Sequence, residues 1–208
     1  MLLDFAVSAL LTLFVVVDPV GLVPSFLAVT DGLPLKARRS VALRACIIAG
    51  AILVGAALGG DWLFRTLGIS LPAFRIAGGL LLFSIASEMV FGVRLRRESE
   101  AAEEAVEERA RNVAAFPLAI PLMAGPGAIT ATVLLAGRAA GNAALTGLLM
   151  AVVVLVAIAC FAAFIFARRI SRLLGITGNI VLSRLLGVLL AALAVQFVID
   201  GVRAVLAG

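Results

Sequence analysis

Six stretches of mostly apolar residues dominate this chain: 5–28, 41–60, 67–91, 114–136, 143–166 and 176–204. A helix that crosses hydrocarbon needs about 20 such residues. Backbone N–H and C=O groups at that depth must be satisfied internally, so only helices and closed barrels can span. The weak ten-residue alternation of a membrane barrel is absent. The expectation is therefore an all-α polytopic membrane protein with six transmembrane helices. Composition agrees: 63% of the 208 residues are hydrophobic and 14% are charged, against about 25% charged in a soluble domain. The chain lacks the polar residues to coat a soluble core. Six spans use about 120 residues, too many to leave room for a separate extramembrane domain. The first stretch has no basic n-region and meets Asp18-Pro19 without a small-residue cleavage site, so it reads as a span and not a removable signal.

Absent residue types narrow the chemistry. There is no histidine, which excludes Ser-His dyads, HExxH zinc sites and His proton relays. Cys46 and Cys160 sit inside apolar runs and read as packing residues. No metal, no cofactor and no enzymatic activity are expected. The net charge of +5 does not point to nucleic acid, because the basic residues flank the apolar runs. Eleven of them (Lys36, Arg38, Arg39, Arg94, Arg96, Arg97, Arg109, Arg111, Arg168, Arg169 and Arg172) follow spans one, three and five, and only Arg65, Arg138 and Arg203 lie on the other side. The positive-inside bias puts loops one, three and five in the cytoplasm and both termini outside, as expected of a multi-pass cell-membrane protein. The one long polar stretch holds six Glu beside five Arg between 94 and 111, with Glu107 and Arg111 one helical turn apart. It reads as a solvated linker.

The chain also looks duplicated. Leu67-Gly68-Ile69-Ser70 recurs as Leu174-Gly175-Ile176-Thr177, and Pro19 recurs as Pro126 at the same offset. Further along, after a short insertion, Arg75 and Gly78 align with Arg184 and Gly187, and Gly92 with Gly201. The division is a first three-helix repeat over 1–94, a charged linker over 95–113 and a second three-helix repeat over 114–208. Three spans per repeat is odd, so the repeats insert with opposite orientation. Many secondary transporters have that architecture, with the substrate near midplane where the repeats meet.

Spans one and four are interrupted. The first reads FVVVDPVGLVPSF over 14–26 and the second PLAIPLMAGPGAIT over 117–130. Proline removes a donor and clashes with the preceding turn. The freed groups are tolerated in lipid only where protein or a cavity covers them. A half-helix N-terminus suits a carboxylate, while Asp18 and unwound carbonyls suit an ammonium or a cation. A small zwitterion needs both. Around these breaks the candidate substrate-binding residues are Asp18, Pro19, Gly21, Pro24, Ser25, Gly125, Pro126, Gly127 and Thr130. Arg75 and Arg184 are candidate carboxylate forks, or else braces at helix ends. Asp18, deep in span one, is a candidate coupling site, and Glu88 is a candidate for gating or coupling beside Arg94. Gln196 reads as interhelical glue, and Gly55 with Gly59 as a close-packing face open to a second copy.

The segments DPVGLVPSFLAVT (18–30), RIAGGLLLFSIASEMVFG (75–92) and PLAIPLMAGPGAITATVLLA (117–136) resemble the signatures of the MarC family, also called the neutral amino acid transporter family, of bacterial and archaeal inner membranes. The resemblance runs over nearly the whole chain. It implies six spans and transport of small neutral amino acids such as alanine and glycine, and it puts weight on Asp18, Pro19, Gly21, Pro24, Arg75, Gly78, Gly79, Glu88, Gly125, Pro126 and Gly127. One departure is Leu22, where many members place Asn after the glycine of DPxG. The resulting expectation is a secondary transporter working by alternating access, with H+ or Na+ as coupling ion. The competing expectation is a channel or a translocase for another small metabolite or lipid-linked carrier. A channel needs a continuous polar lining, for which these spans hold few residues.

Overall fold

The computed structural model describes residues 2–93, 114–139 and 141–206. All regular structure among them is helical: α1 (Leu2–Val17), α2 (Leu22–Val29), α3 (Leu35–Leu67), α4 (Leu71–Phe91), α5 (Ala114–Met123, a π-helix), α6 (Pro126–Ala139), α7 (Ala143–Ile165) and α8 (Ala167–Leu206). Four continuous segments are long and apolar enough to cross a membrane: Leu35–Gly60, Leu71–Phe91, Ala143–Ile165 and Thr177–Leu206. A fifth is the pair α1 and α2, bent by 45° at the break. The fourth apolar run of the sequence is divided between α5 and α6, each shorter than a span. The protein is therefore a multi-pass membrane protein built from helices. The charged linker 95–113, with Glu107 and Arg111, and Arg94 beside Glu88 lie outside the described residues.

Local chemistry sets the helix ends. Ser70 caps α4 by accepting from the Ala73 N–H at 3.3 Å, and Asn142 caps α7 by accepting from Ala144 and Leu145 at 3.0 and 3.2 Å. The two copies of the Leu-Gly-Ile-(Ser/Thr) motif both turn the chain. Gly68 (φ 68°) ends α3, and Gly175 (φ 60°, ψ −174°) kinks α8 ahead of its spanning part. Only glycine occupies such backbone cheaply.

Packing runs chiefly between the two halves of the chain. α4 lies along α8, α5 and α6 lie on α3, α1 lies on α7, and α2 lies on α8. The α4–α8 contact is made at glycines. A Cβ on Gly79 would fall 2.7 Å from both the Ala194 carbonyl oxygen and Val198, and a Cβ on Gly187 would fall 3.1 Å from both the Ala86 carbonyl oxygen and Val90. These are one contact made twice: Gly79, Ala86 and Val90 correspond to Gly187, Ala194 and Val198 at one constant offset. The sequence register paired Gly78 with Gly187 and Arg75 with Arg184. The packing is shifted by one residue from that register. It matches the Gly79 contact with the Gly187 contact, and the same offset of positions sets Ser183 against Arg75.

Candidate functional site

The first break is built by Asp18. α1 ends with the Asp18 N–H donating to the Phe14 carbonyl at 2.9 Å. Asp18 then takes φ 52°, the only non-glycine positive φ among the described residues. Pro19 follows and supplies no N–H, and Asp tolerates this backbone because its short carboxylate can bond locally. The Asp18 Oδ1 accepts from the Gly21 N–H at 2.9 Å, while the Leu22 N–H reaches back to the Asp18 carbonyl at 3.1 Å to start α2. A Cβ on Gly21 would collide with the Asp18 carboxylate, so DPxG works as a unit. Asp18 is 4% exposed. It directly follows α1 and so lies about 24 Å from the start of that helix.

The second break uses a wider turn. The Ala124 N–H donates to the Ala119 carbonyl at 2.8 Å, five positions back, which is the π-helical bond that recurs at functional sites. α6 begins at Pro126, a first-turn position where the missing N–H costs nothing. Gly127 follows, buried against Ile85 of α4 and Val16 at the end of α1. The two breaks therefore meet. Val17, just before the first, and Met123, just before the second, line one cavity of about 10 Å³ with Leu53 of α3 and Cys160 of α7. That is room for about one water molecule.

The remaining predicted residues sort by position. Pro19, Ser25 and Thr130 are buried beside the breaks, and Gly125 is half-buried. Thr30 and Thr132 donate their hydroxyls to carbonyls one turn back, at 2.6 and 2.7 Å. Ser25 and Thr130 are likewise buried. Thr130 packs on Gly78 of α4. Pro24 and Pro126 are exposed and shape the backbone without lining the junction. Arg75 is half-buried in the first turns of α4, and its Nε is buried without a hydrogen-bond partner. The Oγ of Ser183, its counterpart on α8, is in the same condition. Arg184 is exposed at the other end of the α4–α8 pair, its Nη2 beside Gly92 at the α4 C-terminus, where a cation meets the negative end of the helix dipole. Glu88 is half-buried. Cys46 and Cys160 are buried free thiols, and no group of potential metal ligands occurs among the described residues.

One cluster escaped the sequence reading. The Arg138 Nη2 at the end of α6 meets the Asp200 Oδ2 of α8 at 2.9 Å, and the Gln196 Nε2 donates to the Asp200 Oδ1 at 2.7 Å. The Arg138 guanidinium also lies 4.8 Å from the centre of the Phe197 ring. Gln196 is thus not itself an interhelical tie but supports one from within its own helix. The one-turn spacing of Gln196 and Asp200 was the available signal.

The comparisons agree with this membrane fold. The family model described as MarC family integral membrane protein matches residues 3–206. The chain is similar to a UPF0056 membrane protein of Methanocaldococcus jannaschii, at 37% identity over 98% of each chain. It is similar to another from Aquifex aeolicus, at 36% over 95% of this chain and 92% of that one. A third, from Escherichia coli K12, is 36% identical over 94% of this chain and 91% of its own. No solved structure matches. A match across nearly the whole length, from residue 3 to residue 206, places this chain in the MarC family of integral membrane proteins.

Proposed function

We propose that this protein is a secondary transporter of small neutral amino acids such as alanine and glycine, working by alternating access between two inverted three-helix repeats. The observation that carries the reading is the meeting of two helix breaks at one buried junction, one of them holding a carboxylate. Such breaks are costly in lipid unless they serve a site. Asp18 and the α5 carbonyls supply the negative side for an ammonium, and the N-terminus of α6 supplies the positive side for a carboxylate. Ser25 and Thr130 add buried hydroxyls beside the two breaks. Gly127, Gly21 and Pro19 around the breaks carry little or no side chain, which favours a small substrate.

The duplicated packing supports the repeat. α5 on α3 corresponds to α1 on α7, α6 on α4 corresponds to α2 on α8, and α4–α8 and α3–α7 correspond to themselves. Six spans follow when α5 and α6 count as one broken span. The arginine bias then sets loops one, three and five in the cytoplasm. Coupling to H+ or Na+ would run through Asp18.

The test is flux of radiolabelled alanine and glycine into proteoliposomes, with and without a proton or sodium gradient. Saturable flux that Asp18→Asn reduces at least tenfold, in protein that stays folded, is the expected result. Absence of flux for every small neutral amino acid from correctly inserted protein overturns the reading.

A further inference from the structure

The contacts at the two ends of the molecule differ, although the packing between is duplicated. α6 runs from the junction at Gly127 to Arg138, about 16 Å away. Its far end is held on α8 by the Arg138–Asp200 pair, each side chain 29% exposed, with Gln196 bonding the second carboxylate oxygen and Phe197 under the guanidinium. The corresponding end of α2 is held differently, on α3, where the Arg38 Nε donates to the Leu33 carbonyl at 3.0 Å. In the register that relates Pro126 to Pro19, Arg138 answers to Asp31, whose side chain is 90% exposed and faces Arg38 of α3 at 3.9 Å. In the register that relates Gly187 to Gly79, Asp200 answers to Gly92, which has no side chain to offer. Along its length α6 meets α4 at apolar contacts: Gly78 on Thr130 and Leu134, and, beside Arg138, Gly137 on Leu71. Apolar contacts slide, whereas an ion pair with both carboxylate oxygens engaged has one geometry.

We infer that Arg138, Asp200 and Gln196 form a latch on one of the two access paths, and that release of the pair lets α6 swing away from α4 and α8 and open the junction at that end alone. The inference rests on the alternating-access reading for its purpose, but not for its test. Arg138 and Asp200 are positioning residues here, since neither lines the cavity between the breaks.

The experiment is hydrogen–deuterium exchange by mass spectrometry on the full chain in nanodiscs, comparing wild type with Asp200→Asn, Arg138→Gln and the charge exchange Arg138→Asp with Asp200→Arg. The latch predicts exchange in 126–139 at least fivefold faster in both single variants, unchanged exchange in 22–29, and restoration toward wild type in the charge exchange. Modification of Cys160 by a water-soluble maleimide, in a Cys46→Ala background, should rise in parallel because Cys160 lines the junction cavity. Exchange that is unaltered in 126–139, or faster throughout the molecule, overturns the latch, as does a charge exchange that resembles the single variants. The expected exchange pattern in a protein that moves no amino acid would leave the latch standing and remove the transport reading instead.

Discussion

One Asp18 carboxylate oxygen accepts from the Gly21 N–H and holds the chain in the turn; in the proposed transport a different property of the same side chain, its negative charge, would meet an ammonium or a cation. Asn keeps an acceptor but not the charge, so Asp18→Asn should separate the two, keeping the fold while losing flux. Gly21→Ala attacks the turn itself. Its Cβ would overlap the Asp18 carboxylate, and the resulting displacement should cost about 1–3 kcal/mol. The expected outcome is a lower unfolding midpoint in detergent together with lost transport, while Gly55→Ala, whose Cβ meets nothing within 4 Å, should be neutral or slightly stabilising, by up to about 1 kcal/mol. A Gly21→Ala protein as stable as wild type would show that the Asp18–Gly21 bond is dispensable. Asp18 and Gly21 were legible from sequence because an acid and a Pro-Gly pair inside an apolar run are each expensive. Asp200 was not, because an acid near the end of a span is ordinary until its partner on a distant helix is known.

Helices α4 and α8 make the most extensive helix–helix contact among the described residues, and they approach through glycines. The Gly79 and Gly187 contacts are copies of one another, so Gly79→Ala and Gly187→Ala should each cost about 1–3 kcal/mol and by similar amounts. Thermal unfolding of the two variants checks this. A large effect from one and none from the other would refute the duplicated contact. Four of the six spans read from sequence correspond to described helices that pass as spans, with ends shifted by a few residues; the first corresponds to the bent pair α1 and α2, whose bend coincides with its Asp-Pro. What periodicity could not supply was register. Glycine- and leucine-rich runs align almost as well when slipped by one residue, and only the carbonyl-to-glycine contacts distinguish the alignments. The π-helical turn of α5 was equally hidden, since a bond to the fifth residue back instead of the fourth leaves no mark on composition.

At the scale of the whole molecule, the halves interleave. α3 receives α5, α6 and α7 from the second half, and α8 receives α2 and α4 from the first, so neither half encloses a core alone. Residues 1–94 expressed by themselves should therefore be degraded or remain protease-sensitive in membranes, and coexpression with 95–208 should restore a protease-resistant complex. A protease-resistant first half on its own would refute the interleaved packing. By itself the sequence determined the membrane, the helices, the places where they break and the family, because each follows from local chemistry: apolar length, proline without a donor, an acid in lipid, and motif residues in order. Only the tertiary structure decided that the two breaks lie side by side, with Gly127 against Val16, that Gly79 and not Gly78 makes the α8 contact matching that of Gly187 on α4, and that Arg138 finds Asp200. Those depend on how apolar helices rotate and slide against each other, and dispersion between similar apolar surfaces is nearly indifferent to such shifts until glycines and a single ion pair select among them.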